Sequence, residues 1–171
     1  MLVQKPKNLY NEYRLMIFNR RIAMDYMQYA IDEATKGIRA GHGGPFGAVI
    51  VKDGRIVGRG HNCVIRDQDA TMHGEIAAIR DASRALGTFD LSGCTLYSTA
   101  EPCPMCMCAS LWANIDKIYY GCNRCDTEDI GFRDNKFYEI ICDPGERVAQ
   151  CDRDKCLKLF HDYGSMDKTL Y

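Results

Sequence analysis

The stretch Ser98-Thr99-Ala100-Glu101-Pro102-Cys103-Pro104-Met105-Cys106-Met107-Cys108-Ala109-Ser110-Leu111-Trp112 decides how the rest of the chain is read. It opens on an extended run and passes through two prolines into an apolar segment. Pro104 holds φ near the helical value and needs no hydrogen-bond partner at the first helical position, so a helix is expected to start there. Cys103 and Cys106 then face one way across its first turn, where unpaired N–H groups and the positive end of the helix dipole favour thiolate over thiol. Two thiolates in that setting make a metal site that lacks at least one ligand. Upstream, Met72-His73-Gly74-Glu75-Ile76-Ala77-Ala78-Ile79 supplies an imidazole and, beside it, a carboxylate.

Working outward, apolar positions Ile22, Tyr26, Tyr29, Ala30, Ala34 and Ile38 follow a helical stripe between Arg20 and Ala40, closed by Gly41-His42-Gly43-Gly44-Pro45. Two β-branched runs, Phe46 to Val51 and Arg55 to Val64, flank Asp53-Gly54, which is a strong hairpin signal. His73 to Leu86 has helical spacing and ends at Gly87. Strands are expected over Cys94–Thr99 and Ile115–Tyr120. A loop rich in Asp and Cys follows, then a short segment around Phe137–Ile141, a strand near Arg147–Gln150 and a helix over Arg153–Tyr163. This order predicts an α/β chain, a three-layer α/β/α sandwich around a mixed five-stranded sheet.

At 171 residues the length fits one domain with a real core. A 46% apolar and 26% charged composition argues against disorder. Twenty-two basic and 23 acidic residues leave a net charge of −1, so no global field draws in nucleic acid or an anionic membrane. The sequence holds neither a membrane-length apolar run nor a secretion signal. Its ten cysteines therefore read as reduced thiols of a cytoplasmic protein, some of them recruited to metal and most of the others, such as Cys63 and Cys94, small buried apolar residues.

Zinc suits His73, Cys103 and Cys106, being borderline soft and tetrahedral; three protein ligands leave a fourth position for water, the mark of a catalytic site. Glu75, two residues beyond His73, need not be a ligand and is placed to move protons between water and substrate. Such a pair fits the hydrolytic removal of an amino group from an electron-poor ring. Cys108 is the nearest candidate for a fourth ligand that would close the site, but on a helix it points largely away. A second Cys-x-x-Cys, Cys122 and Cys125, has only Cys151 and Cys156 as prospective partners.

His-x-Glu followed by Pro-Cys-x-x-Cys is the known signature of zinc nucleobase deaminases. On His73-Gly74-Glu75 and Pro102-Cys103-Pro104-Met105-Cys106 the chain resembles the cytidine-deaminase-like superfamily. On Gly43 to Gly54, Asn62, Trp112-Ala113, Gly131-Phe132, Asp134 and the terminal Tyr171 it is most similar to bacterial guanine deaminases. The resemblance runs from about Arg20 to the end, so residues 1–19 read as an N-terminal extension and 20–171 as the deaminase domain. It implies one zinc per chain, and a pocket in which Asn62 hydrogen-bonds the purine, Phe46 and His73 sandwich its ring and Ala48 lines the wall. It also implies that Asp134 accepts from the purine edge and assists proton transfer. A homodimer is implied, with the tail (about 152–171) exchanged between subunits and Trp112 and Tyr171 closing the site. The sequence departs from the family where Asp69-Ala70-Thr71-Met72-His73 replaces Asp-Pro-Thr-Ala-His, and where Gly74 replaces Ala.

The expected activity is conversion of guanine to xanthine with release of ammonia. The alternatives are a nucleoside (guanosine, cytidine) or another aminated heterocycle, a tRNA adenosine deaminase, and a non-enzymatic zinc-stabilised scaffold. The tRNA alternative needs a basic groove for the RNA backbone, which the acidic Asp126–Asp129 stretch does not favour.

Overall fold

The computed structural model describes residues 26–142. Helix α1 (residues 26–39) ends at Gly41, whose φ of 68° is the left-handed conformation expected of a terminating glycine. Then come β1 (Gly47–Lys52), β2 (Arg55–His61), α2 (Val64–Asp67), α3 (Gly74–Leu86), β3 (Cys94–Ala100), α4 (Pro104–Trp112), β4 (Lys117–Cys122), α5 (Arg124–Asp129) and α6 (Asp134–Cys142). The strands lie in the order β2-β1-β3-β4, with β1 antiparallel to both neighbours and β3 parallel to β4. The sheet is mixed, as expected, with four strands among the described residues. The strand expected near Arg147–Gln150, the helix over Arg153–Tyr163 and the tail lie outside them.

Hairpin and layers follow from local rules. Asp53 (φ 49°) and Gly54 (φ 73°) are both left-handed, as a tight turn matching strand twist requires. Along β1, side chains alternate between faces. Val49 and Val51 pack with Tyr97 against Ala30 of α1, whereas Ala48 and Ile50 pack with Leu96 against Ala78 and Ala82 of α3. Each face of the sheet thus carries its own apolar cluster and its own helix. On β2, a β-carbon at Gly60 would lie 2.5 Å from the Gly74 carbonyl oxygen, and one at Gly58 would lie 2.5 Å from that of Ala78. These glycines let α3 rest on the strand backbone and so fix where its first residues stand.

The element boundaries depart most from expectation at three places, and the short segment expected around Phe137–Ile141 is the longer helix α6. β2 stops at His61 rather than Val64, because the Asn62 side-chain oxygen accepts the Val64 N–H (3.2 Å) and turns the chain into α2. β4 starts at Lys117, and Ile115 instead fills the core next to Ala113. The stretch after β4, expected to be a loop, is helix α5. Asn123 accepts from the Cys125 and Asp126 N–H groups and Asp126 accepts from the Asn123 N–H, a capping box that starts six helical residues.

Candidate active site

Two helix starts meet at one point. His73 is the N-cap of α3 and Cys103 the N-cap of α4, both with extended backbone, and neither side chain caps its own helix. Cys106 stands in the first turn of α4, after Pro104 at its first position. The ligand atoms of His73, Cys103 and Cys106 lie within 4.8 Å of one another. Cys103 Sγ and His73 Nδ1 are 3.6 Å apart. A thiolate and an imidazole on one tetrahedral zinc, with arms of about 2.3 and 2.1 Å, keep a separation of about 3.6 Å. The donor set and its spacing fit zinc.

The electrostatics are those of a ligand set. In the metal-free protein the Cys106 thiol hydrogen-bonds the Cys103 sulfur, and with a further contribution from His73 this outweighs burial and pulls Cys103 down to about 4. Cys106 is pushed far up, first by donating that bond and then by burial. The Cys103 sulfur in turn raises His73, against the opposing effect of burial. Glu75, 4% exposed, is raised above the usual carboxylate range by desolvation, and Ser98 Oγ donates to its Oε1 at 3.3 Å. Burial also raises Asp134, at the start of α6.

These groups open into a narrow recess lined by Phe46, Asn62, His73, Glu75, Ala100, Glu101, Cys103, Phe132 and Asp134. Phe46 and Phe132 meet edge to face at 4.6 Å. The space that a β-carbon on Gly44 would need lies 2.8 Å from both rings, so glycine there lets them close together.

The cytidine and deoxycytidylate deaminase zinc-binding region matches residues 20–122 of the chain. The chain belongs to this deaminase family. It is 44% identical to the guanine deaminase of Bacillus subtilis over 71% of its own length and 78% of that protein's. The solved structure of that enzyme superposes with a TM-score of 0.82 at 37% identity, covering 86% of this chain and 97% of the other. The tRNA-specific adenosine deaminase of Bacillus subtilis is also 44% identical, over 56% of this chain and 59% of that protein. The guanine deaminase of Nitrosomonas europaea gives a TM-score of 0.61 at 32% identity, over 64% of this chain and 63% of that one. The deaminase is accordingly a zinc-binding hydrolase of C–N bonds.

Of the residues predicted from sequence, His73, Cys103, Glu75, Phe46, Asn62 and Asp134 surround the deaminase's recess, and Cys106 is fully buried beside them. Ala48 is in the sheet core among Ala78 and Leu96, behind the recess lining. Trp112 ends α4, 68% exposed, beside Cys108, Leu111 and Asn114 on a separate surface hollow. Tyr171 lies outside the described residues. Cys108 is exposed, and among the described residues neither it nor Cys122 nor Cys125 joins a metal-binding group. Three lining residues were not anticipated as site residues: Ala100, Glu101 and Phe132. Glu101 precedes Pro102 and is held by Arg124 of α5, with Nε 3.2 Å from Oε1 and the backbone N–H 3.3 Å from Oε2. Phe132 follows the left-handed Gly131 (φ 93°), an aromatic beside a turn glycine that a search for lid residues would pick out.

Proposed function

We propose that this deaminase hydrolyses a free amino-purine, converting guanine to xanthine and ammonia, with one zinc ion in the site formed by His73, Cys103 and Cys106. The observation that carries this is the recess itself. Two aromatic rings, a buried amide and two carboxylates with raised proton affinity converge beside His73 and Cys103, the combination of flat apolar faces and a few polar groups that a small planar base and its water call for. When bound, zinc would polarise the attacking water.

The chain's own residues do the remainder. Glu75 takes a proton from water and delivers protons to the ring nitrogen and then to the departing amino group, so that C–NH2 plus H2O becomes C=O plus NH3. Burial raises its proton affinity, which suits a group that must both accept and donate. The Asn62 amide offers a donor and an acceptor to the purine edge, and Asp134 accepts a ring N–H and assists the shuttle. Phe46 stacks on the base and, with Phe132, keeps water out.

Ammonia release by zinc-loaded protein on guanine, guanosine, cytosine, cytidine and adenine tests the assignment. Guanine should give the highest kcat/KM; faster turnover of a nucleoside would replace it. The match to a tRNA-specific adenosine deaminase supports a second reading, in which the base belongs to an RNA loop. Salt-dependent binding of a tRNA anticodon stem would favour that reading, and a slope near zero would remove it.

We further propose a cytoplasmic homodimer whose C-terminal segment (about 152–171) crosses to the neighbour, with Tyr171 closing the recess; Trp112, on a hollow separate from the recess of its own chain, would take part only across the dimer. The exposed apolar end of α4 and the free state of the cysteines among the described residues support this. Mixing Glu75→Gln protein with a variant lacking residues 165–171, after unfolding and refolding together, should then restore some activity. Absence of rescue would count against exchange.

A further inference from the structure

A second set of metal-binding side chains lies beside Asn62. His42 belongs to the α1–β1 connection, His61 ends β2 and Cys63 is the N-cap of α2, yet their ligand atoms come within 4.8 Å of one another. His42 Nδ1 and His61 Nε2 are 2.9 Å apart, and the rings stack with centroids 5.2 Å apart. Two imidazoles on one tetrahedral zinc hold their nitrogens about 3.3 Å apart, so the pair has only to open by a few tenths of an ångström. Cys63, 3% exposed, contributes a buried sulfur. Glycine at position 37 of α1 leaves room for the His61 ring, since a β-carbon there would lie 2.6 Å from its Cδ2.

An independent feature points the same way. The Glu33 carboxylate, its side chain 9% exposed, places Oε2 3.6 Å from Nδ1 of His61, the ring nitrogen not facing His42. Lys36 (2.7 Å) and Arg59 (3.7 Å) hold its Oε1. A carboxylate on the far nitrogen of a histidine is the usual support of a metal ligand, because it fixes the proton on that nitrogen and leaves the other lone pair free. Closing the 3.6 Å separation by a few tenths of an ångström puts that hydrogen bond on Nδ1 of His61 and leaves the Nε2 lone pair directed at His42.

We propose that His42, His61 and Cys63, with Glu33 orienting His61, bind a second zinc ion, separate from the one held by His73, Cys103 and Cys106. Two imidazoles and a thiolate suit zinc and exclude the hard cations magnesium and calcium. Binding proceeds with His42 moving its proton to Nε2 and the Cys63 thiol losing its own, so one proton is released per ion. His61 and Cys63 flank Asn62 in sequence, and the His42 carbonyl accepts the N–H groups of Ile65 (3.0 Å) and Arg66 (3.1 Å). An ion here clamps the loop that carries Asn62. That consequence rests on the role proposed for Asn62; the metal site itself does not.

The test counts zinc in the full-length protein by mass spectrometry after dialysis, on the wild type and on Cys63→Ser, His42→Gln and Glu33→Gln. The wild type should hold two equivalents, and Cys63→Ser and His42→Gln one each. Glu33→Gln should retain the site but lose 10- to 100-fold in affinity for the second ion, an effect not expected of an ordinary surface ion pair. Anomalous diffraction at the zinc edge from wild-type crystals should give a peak among the three side chains, which settles the matter if a variant fails to fold. One equivalent in the wild type, an unchanged count in Cys63→Ser, or occupancy only at millimolar zinc would overturn the proposal. None of these readouts depends on the substrate.

Discussion

The carbonyl oxygen of Phe46 lies 2.8 Å from where a β-carbon on Gly74 would stand. The same oxygen accepts the backbone N–H of Asn62 at 2.8 Å. Three parts of the recess are therefore locked through one atom: the strand entry that carries the Phe46 ring, the loop of Asn62, and the start of α3 with His73 and Glu75. Gly74→Ala must push them apart, because the obstacle is backbone and cannot rotate away. The expected loss is about 1–3 kcal/mol of stability, read by thermal melting, with KM raised more than kcat is lowered. Unchanged melting and KM would show that the lock yields freely.

Glu75→Gln separates chemistry from metal binding. Turnover should fall by about 10²–10⁴-fold if proton transfer is its whole role, with zinc content at the catalytic site unchanged. The substitution also has a stability consequence. Desolvation raises the folded-state proton affinity of Glu75 above its unfolded value, so the folded protein gains from protonation and loses stability as pH rises above the usual glutamate range. Metal-free Glu75→Gln protein should therefore resist urea better than metal-free wild type at neutral pH, and the gap should close as pH falls toward about 4.5. Equal midpoints at neutral pH would mean that the buried carboxylate is not a stability cost.

Cys103 provides a chemical reporter of the empty ligand set. Its thiol titrates at about 4 when hydrogen-bonded by Cys106 and faced by His73. An ordinary thiol, near 8.5, is almost wholly protonated at pH 6. In protein stripped with a chelator, iodoacetamide at pH 6 should label Cys103 ahead of the exposed Cys108, Cys122 and Cys125, as peptide mapping would reveal. Added zinc should protect it. Preferential labelling of the exposed thiols would show that access outweighs thiolate character here.

Most of the candidate site was legible in the sequence because its residues sit where local rules act alone. Pro104 announces the start of α4, Asp53-Gly54 announces the hairpin, and Gly87 closes α3. Short elements were harder. Helix α5 has six residues and little apolar pattern, and its only signal was Asn123 with Asp126 three positions on. Helix α6 was visible only as Phe137 and Ile141, four residues apart. Ala48 was assigned to the pocket on the family resemblance alone, whereas the alternation of β1 points it with Ile50 into the core against α3. The His42–His61–Cys63 group had no sequence signature at all. It exists because the register pairing Gly47 with His61 brings the end of β2 beside the residues that lead into β1.

Gly60→Ala tests whether the sheet sets the metal geometry. A β-carbon at Gly60 would lie 2.5 Å from the Gly74 carbonyl oxygen and 2.7 Å from Ala77 Cβ, so the first turn of α3 must lift off β2. That turn carries His73 and Glu75, while Cys103 and Cys106 ride on α4 and would stay behind. Gly58→Ala presses on the same helix one turn further along, 2.7 Å from Ala82 Cβ and 2.5 Å from the Ala78 carbonyl oxygen. Both substitutions should cost about 1–3 kcal/mol in denaturant titrations. Only Gly60→Ala should also weaken zinc binding at the catalytic site, by about 10-fold or more for a misplaced ligand, as a competition titration with a chromophoric chelator would measure. Equal zinc affinities in the two variants would show that the ligands settle into place from the loops and helix ends, independent of how α3 is seated on the strand.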